Sequence, residues 1–240
     1  MGAKVTKRGT TTKTLKAALK EIKSSKAKEF YSLKKFSDDE IGKLVAALTQ
    51  AKIRVLELGG GLTDRACSAL ATAVRGRQCP IEELQLQGNN IGDKGIQFLA
   101  SAIVENPHLE KLDLSWNRIG DDGVAHLASA IKRSSLKTLD LAYNEFSDVG
   151  VAMLEEAVKD SRLKRLTLTG NARVSRLTVN NINETLAIIN SERFIIAEVL
   201  CSALYIKRVG KSSLLRQLPQ ELIREIITAL FGQRVRGNGK

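Results

Sequence analysis

A pair of leucines two residues apart recurs five times at nearly constant spacing, and this period constrains the fold more than any other property of the chain. Leu56, Leu84, Leu112, Leu139 and Leu166 are separated by 28, 28, 27 and 27 residues, and Leu58, Leu86, Leu114, Leu141 and Leu168 each follow two positions later. Self-similarity at a period of roughly 20 to 50 residues marks an array of stacked units, none of which can bury its apolar face alone.

Each unit switches periodicity part-way along. The leucine pair alternates with polar residues, which places both leucines on one face of a short strand. The stretch that follows moves to helical spacing, as in Ile96, Leu99, Ala100 and Ile103. One unit therefore reads as strand, turn and helix, and the chain as an α/β solenoid. Asn89, Asn117, Asn144 and Asn171 fall just after the strands, where a side-chain amide can satisfy turn backbone that stacking buries. Gly92 with Asp93, Gly120 with Asp121, and Ser147 with Asp148 then mark helix N-termini. A half-unit lies upstream, where Ser37 and Glu40 form a capping box ahead of Ile41, Leu44, Ala47 and Leu48.

The shared pattern is L-x-x-L-x-L-x-x-N-x-I-x-D-x-G-x-x-x-L-A-x-A-I, written most fully from Ile81, Leu109 and Leu136. It resembles the ribonuclease-inhibitor type of leucine-rich repeat over about residues 36 to 175. Gly61 stands in place of the asparagine in the first copy, and the copy from Leu163 lacks the Asp and Gly. The resemblance implies a short right-handed β/α horseshoe of about five repeats, with strands inside, helices outside, and a role in protein recognition. The look of the chain is also similar to that of leucine-rich-repeat effectors that intracellular bacteria deliver into host cells.

Solenoid ends need covering. Residues 1–35 read as a basic N-terminal helix and cap, with Leu15, Leu19 and Ile22 on one helical face. The solenoid takes 36–175, a helical C-terminal cap 176–232, and a basic tail 233–240. The cap divides into helices over Ile182 to Ser191, Arg193 to Lys207, and Pro219 to Phe231, the last framed by its proline and by Gly232. Leu218, Pro219, Glu221, Leu222 and Ile226 resemble the first line of an F-box, which implies a ubiquitin-ligase adaptor; only nine residues follow Phe231.

Net positive charge is confined to the ends. Residues 1–35 carry 11 Lys/Arg against 2 acidic residues and 201–240 carry 8 against 2, leaving the middle at 19 against 22 within a chain of net charge +12. Such ends attract nucleic acid or anionic lipid, an alternative to protein binding as the function. Cys67, Cys79 and Cys201 are an odd number without CxxC pairing, so no disulfide framework, metal site or cofactor is expected. The first residues lack an apolar signal segment, and the run Ile195 to Tyr205 is too short to span a bilayer. The expected location is cytoplasmic or, for an effector, inside a host cell.

Four local features lead nowhere. Ile53 to Gly61 imitates the first strand and glycine loop of a methyltransferase, but the repeat register already accounts for it. Val209 to Ser213 lacks the first glycine of a phosphate loop, which would fall at Tyr205. His108 and His126 have no nucleophile or carboxylate at identifiable spacing. Arg118 and Arg173 sit in loops after strands, as an arginine of a GTPase-activating repeat protein would, yet proteins of that kind carry about twice as many repeats. No enzyme activity is expected.

If the leucines point inward, strand alternation aims the intervening residues at the concave face. The candidate partner-binding residues are Glu83, Gln85, Lys111, Asp113, Trp116, Thr138, Asp140, Tyr143, Arg165 and Thr167, with Gln87, Gly88, Ser115, Ala142, Thr169 and Gly170 at the remaining positions. Trp116 and Tyr143 occupy equivalent places and are expected about 5 Å apart. Together they are the natural anchors of an interface.

Overall fold

The computed structural model describes residues 15–22, 28–32 and 36–208. The chain divides into two units, Met1–Leu186 and Ala187–Lys240.

The first unit is built on a parallel sheet whose six strands follow chain order. They are β1 (Glu29–Ser32), β2 (Val55–Leu58), β3 (Glu83–Gln85), β4 (Lys111–Asp113), β5 (Thr138–Asp140) and β6 (Arg165–Thr167). Between and before them run α1 (Leu15–Ile22), α2 (Asp38–Leu48), α3 (Asp64–Val74), α4 (Asp93–Glu105), α5 (Asp121–Ile131) and α6 (Asp148–Lys159). The register pairs Phe30 with Leu56, then Leu84, Leu112, Leu139 and Leu166 in succession. That row is buried throughout. Burying a leucine contributes about 1.5 to 3 kcal/mol, so the repeated pair is the principal adhesive of the stack. The expected α/β leucine-rich solenoid is what forms, with one strand more than the leucine pairs mark.

The extra strand is β1, in the segment read as a basic cap. It carries no leucine pair; Phe30 and Ser32 take the inward positions, at 0% and 1% exposure.

Two ladders of side chains close the junctions between units. Asn117 donates from Nδ2 to the carbonyls of Leu86, 2.9 Å, and Leu114, 3.0 Å, while its Oδ1 accepts from Ile91 N–H at 3.1 Å. Asn89, Asn144 and Asn171 repeat the arrangement, each reaching back to the preceding unit. Buried backbone groups lacking a partner are costly, which explains the residue type. The aspartates reach the other way. Each accepts from the residue that caps the following helix: Asp64 from Gly92 N–H and Asp93 from Gly120 N–H, both 2.7 Å, Asp121 from Ser147 N–H, 2.8 Å, and Asp148 from Ser175 N–H, 2.9 Å. The sequence pattern predicts aspartates that serve their own helix; in the fold they join one unit to the next. The capping box of α2 forms as expected, with Ser37 Oγ accepting from Glu40 N–H and Glu40 Oε2 from Ser37 N–H.

After β6 the chain enters α7 (Arg176–Arg208). Within the first unit Ile182 and Leu186 are buried, and Thr185 Oγ1 donates to Glu155 Oε1 of α6 at 3.5 Å. The sequence predicts two helices here, broken near Ser191. The helix is continuous instead, and Ser191 Oγ donates back to the Ile188 carbonyl at 2.7 Å, as a serine within a helix can. The helix over Pro219 to Phe231, the F-box-like line beginning at Leu218, residues 209–213, the tail 233–240 and the basic residues 1–14 lie outside the described residues. No helix among the described residues is long and apolar enough to cross a membrane.

Candidate functional site: the open strand face

The sheet face opposite the helices is lined by two rows that follow from strand alternation. Strand pairing aligns Glu29, Val55, Glu83, Lys111, Thr138 and Arg165 in one row, and Tyr31, Glu57, Gln85, Asp113, Asp140 and Thr167 in the other. Every one of these residues retains solvent exposure. Eight of the ten candidate binding residues therefore share this face.

Hydrogen bonds hold the polar side chains in place. Lys111 Nζ lies 3.0 Å from Glu83 Oε2, and Gln85 Nε2 donates to Glu83 Oε1 at 2.5 Å. Gln87 Nε2 donates to Glu57 Oε1 at 3.1 Å. Asp113 Oδ1 accepts from both the N–H and the hydroxyl of Ser115, at 2.9 and 2.7 Å, and Asp140 Oδ1 from Ala142 N–H at 2.9 Å. Burial raises the Asp140 carboxyl above its ordinary value, with the neighbouring Asp113 charge adding to the effect. Burial, the hydrogen bond to Glu29 and the negative charges of Glu29, Glu83 and Glu57 push the Tyr31 phenol up to about 12.

Beyond the ends of β4 and β5 stand Trp116 and Tyr143. Both adopt left-handed backbone, with φ of 56° and 55°; the equivalent positions in the flanking units are Gly88 and Gly170, at 68° and 78°. Main-chain bonds impose this conformation: Gly88 N–H donates to the Ser115 carbonyl, Trp116 N–H to that of Ala142, and Tyr143 N–H to that of Thr169, at 3.0, 2.9 and 2.9 Å. A bulky residue with positive φ carries a cost of about 1 to 2 kcal/mol. The rings stack with centroids 3.9 Å apart and planes 12° from parallel, closer than strand spacing alone implies. Tyr143 in turn leans over Gly170, where a Cβ would meet its ring at 2.5 Å. Trp116 remains 60% exposed and Tyr143 45%.

The seventh position of the repeat departs from expectation in two of its four copies. Ser115, whose hydroxyl donates to Asp113 Oδ1, and Ala142 are only 8% and 6% exposed, whereas Gln87 and Thr169 keep solvent exposure. Glu29, Tyr31 and Glu57 belong to the face and are absent from the sequence-derived set. Glu57 was legible, since it sits between Leu56 and Leu58; Glu29 and Tyr31 carried no such signal.

The other candidates lie elsewhere. His108 Nε2 is 3.2 Å from the Arg77 carbonyl ahead of β4, and His126 sits on α5. Arg118 and Arg173 are exposed in separate loops. A hollow of about 520 Å³ opens beside Lys28, Gln50, Lys52 and Arg54, whose guanidinium is paired with Glu82 at 2.5 Å. Among the described residues no group of three or more His, Cys, Asp or Glu is placed to hold a metal ion.

Residues 78–100, 105–128 and 133–154 match the family model described as Leucine Rich repeat. Among solved structures, a tropomodulin C-terminal domain from Caenorhabditis elegans is 16% identical with a TM-score of 0.50, covering 77% of this chain and 98% of that one. A chain described as leiomodin-1 actin-binding site 2 is 12% identical with a TM-score of 0.47, covering 77% of this chain and 95% of that one. The likeness to the tropomodulin domain is one of fold. No curated protein matches the sequence.

Proposed function

We propose that this chain, whose residues 78–154 are leucine-rich repeats within an α/β solenoid, recognises a partner protein on its open strand face without catalysis, anchored by Trp116 and Tyr143. The observation that carries the reading is the pair of exposed, stacked aromatics held in left-handed backbone. Glycine fills that place in the units on either side at no conformational cost. Backbone strain retained at an exposed site points to a role in binding, and tryptophan and tyrosine are the residues on which interface energy concentrates. Six adjacent strands at about 4.8 Å give a surface roughly 25 to 30 Å wide, suited to one compact protein surface or an extended segment.

The test is affinity capture from cell lysate with the full chain and with a Trp116→Gly, Tyr143→Gly double variant, each at low and at moderately high salt. Glycine suits the left-handed turns, so the variant keeps its fold. A protein retained by the native chain in salt and lost by the variant supports the reading, with the affinity expected to fall about 30-fold or more for loss of a hot spot. Capture of nucleic acid or lipid alone, released by salt and indifferent to the variant, would assign function to the basic ends instead.

A further inference from the structure

The charge on the strand face is opposite in sign to that of the chain. Five carboxylates project from it, Glu29, Glu57, Glu83, Asp113 and Asp140, against two cations, Lys111 and Arg165; the first of these cations is neutralised by Glu83 at 3.0 Å. The whole chain carries +12. That excess lies in residues 1–35 and 201–240, while residues 36–200 carry 19 basic against 22 acidic residues, so the acidic strip draws cations onto itself. It disfavours the approach of phosphate backbones or acidic peptides to this face.

The aromatic stack and the carboxylates belong to the same two strands. Asp113 and Asp140 are register partners, and Trp116 and Tyr143 stand three residues beyond each. One face of the Trp116 ring is covered by Tyr143; the side chain is nonetheless 60% exposed. An exposed indole face attracts a guanidinium or ammonium group through its quadrupole, and guanidinium also stacks flat upon it. Among the described residues only Oδ1 of Asp113 accepts hydrogen bonds, which leaves its other oxygen for an incoming donor.

We infer that the partner surface received by this face is a basic segment in which one arginine stacks on Trp116 and a second basic side chain pairs with Asp113 and Asp140. The inference rests on the reading of the strand face as the binding surface and names the chemistry of its occupant. A cation placed between the two aspartates also relieves their mutual repulsion, which is one of the causes of the raised Asp140 carboxyl.

The chain contains a single tryptophan, so intrinsic emission reports on this face directly. The probes are nonapeptides of arginine, lysine and glutamate, titrated onto the full chain. The arginine peptide is expected to shift Trp116 emission saturably, the lysine peptide to bind at least about threefold more weakly, and the glutamate peptide to leave emission unchanged. An Asp113→Asn, Asp140→Asn double variant keeps both Oδ1 acceptors, and is expected to lower arginine-peptide affinity at least about tenfold. No emission change, or an affinity that survives the double variant, overturns the inference. Capture from lysate separates the two readings. A partner lost from the Trp116→Gly, Tyr143→Gly variant yet kept by the Asp113→Asn, Asp140→Asn variant upholds the strand face and removes the basic segment; a partner kept by both variants removes the strand face itself.

Discussion

Oδ1 of Asp93 lies 2.5 Å from where a Cβ on Gly123 would stand, and the same oxygen accepts the Gly120 N–H at 2.7 Å. The glycine of one unit is thus the space into which the aspartate of the unit before it fits, and the Asp-x-Gly spacing records that fit. Gly123→Ala must displace the carboxylate and its bond, and is expected to cost about 1 to 3 kcal/mol. Gly42, inside α2 with nothing within 4 Å of its Cβ position, is the contrasting case. Gly42→Ala should raise stability by about 0.5 to 1 kcal/mol. Urea unfolding of the two variants, compared by midpoint at constant slope, checks both signs.

Asn117→Ala removes one of two amide donors from each of the Leu86 and Leu114 carbonyls, which keep Asn89 and Asn144, and leaves the buried Ile91 N–H without its side-chain acceptor. With about 1 to 3 kcal/mol at stake for one buried unpaired group, the loss is expected to fall in that range. Asn90, next to the Asn89 rung but exposed, gives the control: Asn90→Ala should stay within about 0.5 kcal/mol. Thermal unfolding distinguishes the pair.

Trp116→Gly should leave stability nearly unchanged, because relief of left-handed strain, about 1 to 2 kcal/mol, offsets loss of a stack worth about 0.5 to 1.5 kcal/mol. Trp116→Ala loses the stack and keeps the strain, and should be the less stable of the two. Calorimetric midpoints in that order support the backbone argument; the reverse order refutes it.

Two aspartates predict opposite pH behaviour. Asp121 is held below its ordinary value chiefly by the Ser147 N–H, so its contribution is present above the unfolded carboxylate range and is lost as pH falls through its folded value. Asp140 is raised, chiefly by burial, so folding favours its protonated form and its charge opposes folding once pH exceeds that raised value. Asp140→Asn keeps the acceptor for Ala142 N–H and should therefore raise the melting temperature at neutral pH, with the gain vanishing in acid. Asp121→Asn should lower it at neutral pH, with the deficit shrinking in acid. Melting curves across pH 3 to 7 for both variants decide the matter.

Burial pushes the Cys67 thiol up to about 12, reinforced by Asp64 and Asp38. The reactive thiolate is scarce at neutral pH, so a thiol reagent at pH 7.5 should leave the Cys67 peptide unmodified in the native protein and label it in denaturant. Peptide mass spectrometry reads the outcome; rapid native labelling of Cys67 would contradict its packing.

The solenoid was readable wherever an inward leucine pair made the strand visible, from β2 to β6. β1 escaped because Phe30 and Ser32 fill the same inward places with residues that define no motif. Two helices were expected where α7 is one, and Ser191 at the expected break bonds to the preceding turn, as a serine inside a helix can. The rows of the strand face followed directly from alternation, which is why Glu83, Gln85, Lys111, Asp113, Thr138, Asp140, Arg165 and Thr167 align. Alternation ends where the backbone turns left-handed, and there Ser115 and Ala142 are buried although Gln87 and Thr169 at the same position are not. The stack of Trp116 on Tyr143 arises from two side chains leaning in the same direction, a geometry that no spacing encodes.

The asparagine rungs reach back and the aspartate rungs reach forward, so each interior junction is made with the same two side-chain types, whichever units it joins. Interchangeable junctions imply a chain whose length is adjustable. A duplicate of residues 109–135 inserted after position 135 would present its own asparagine to the unit before it and its own aspartate to the unit after it. The sheet would lengthen by one strand and gain a second Trp116-equivalent, without a new type of bond being required at either seam.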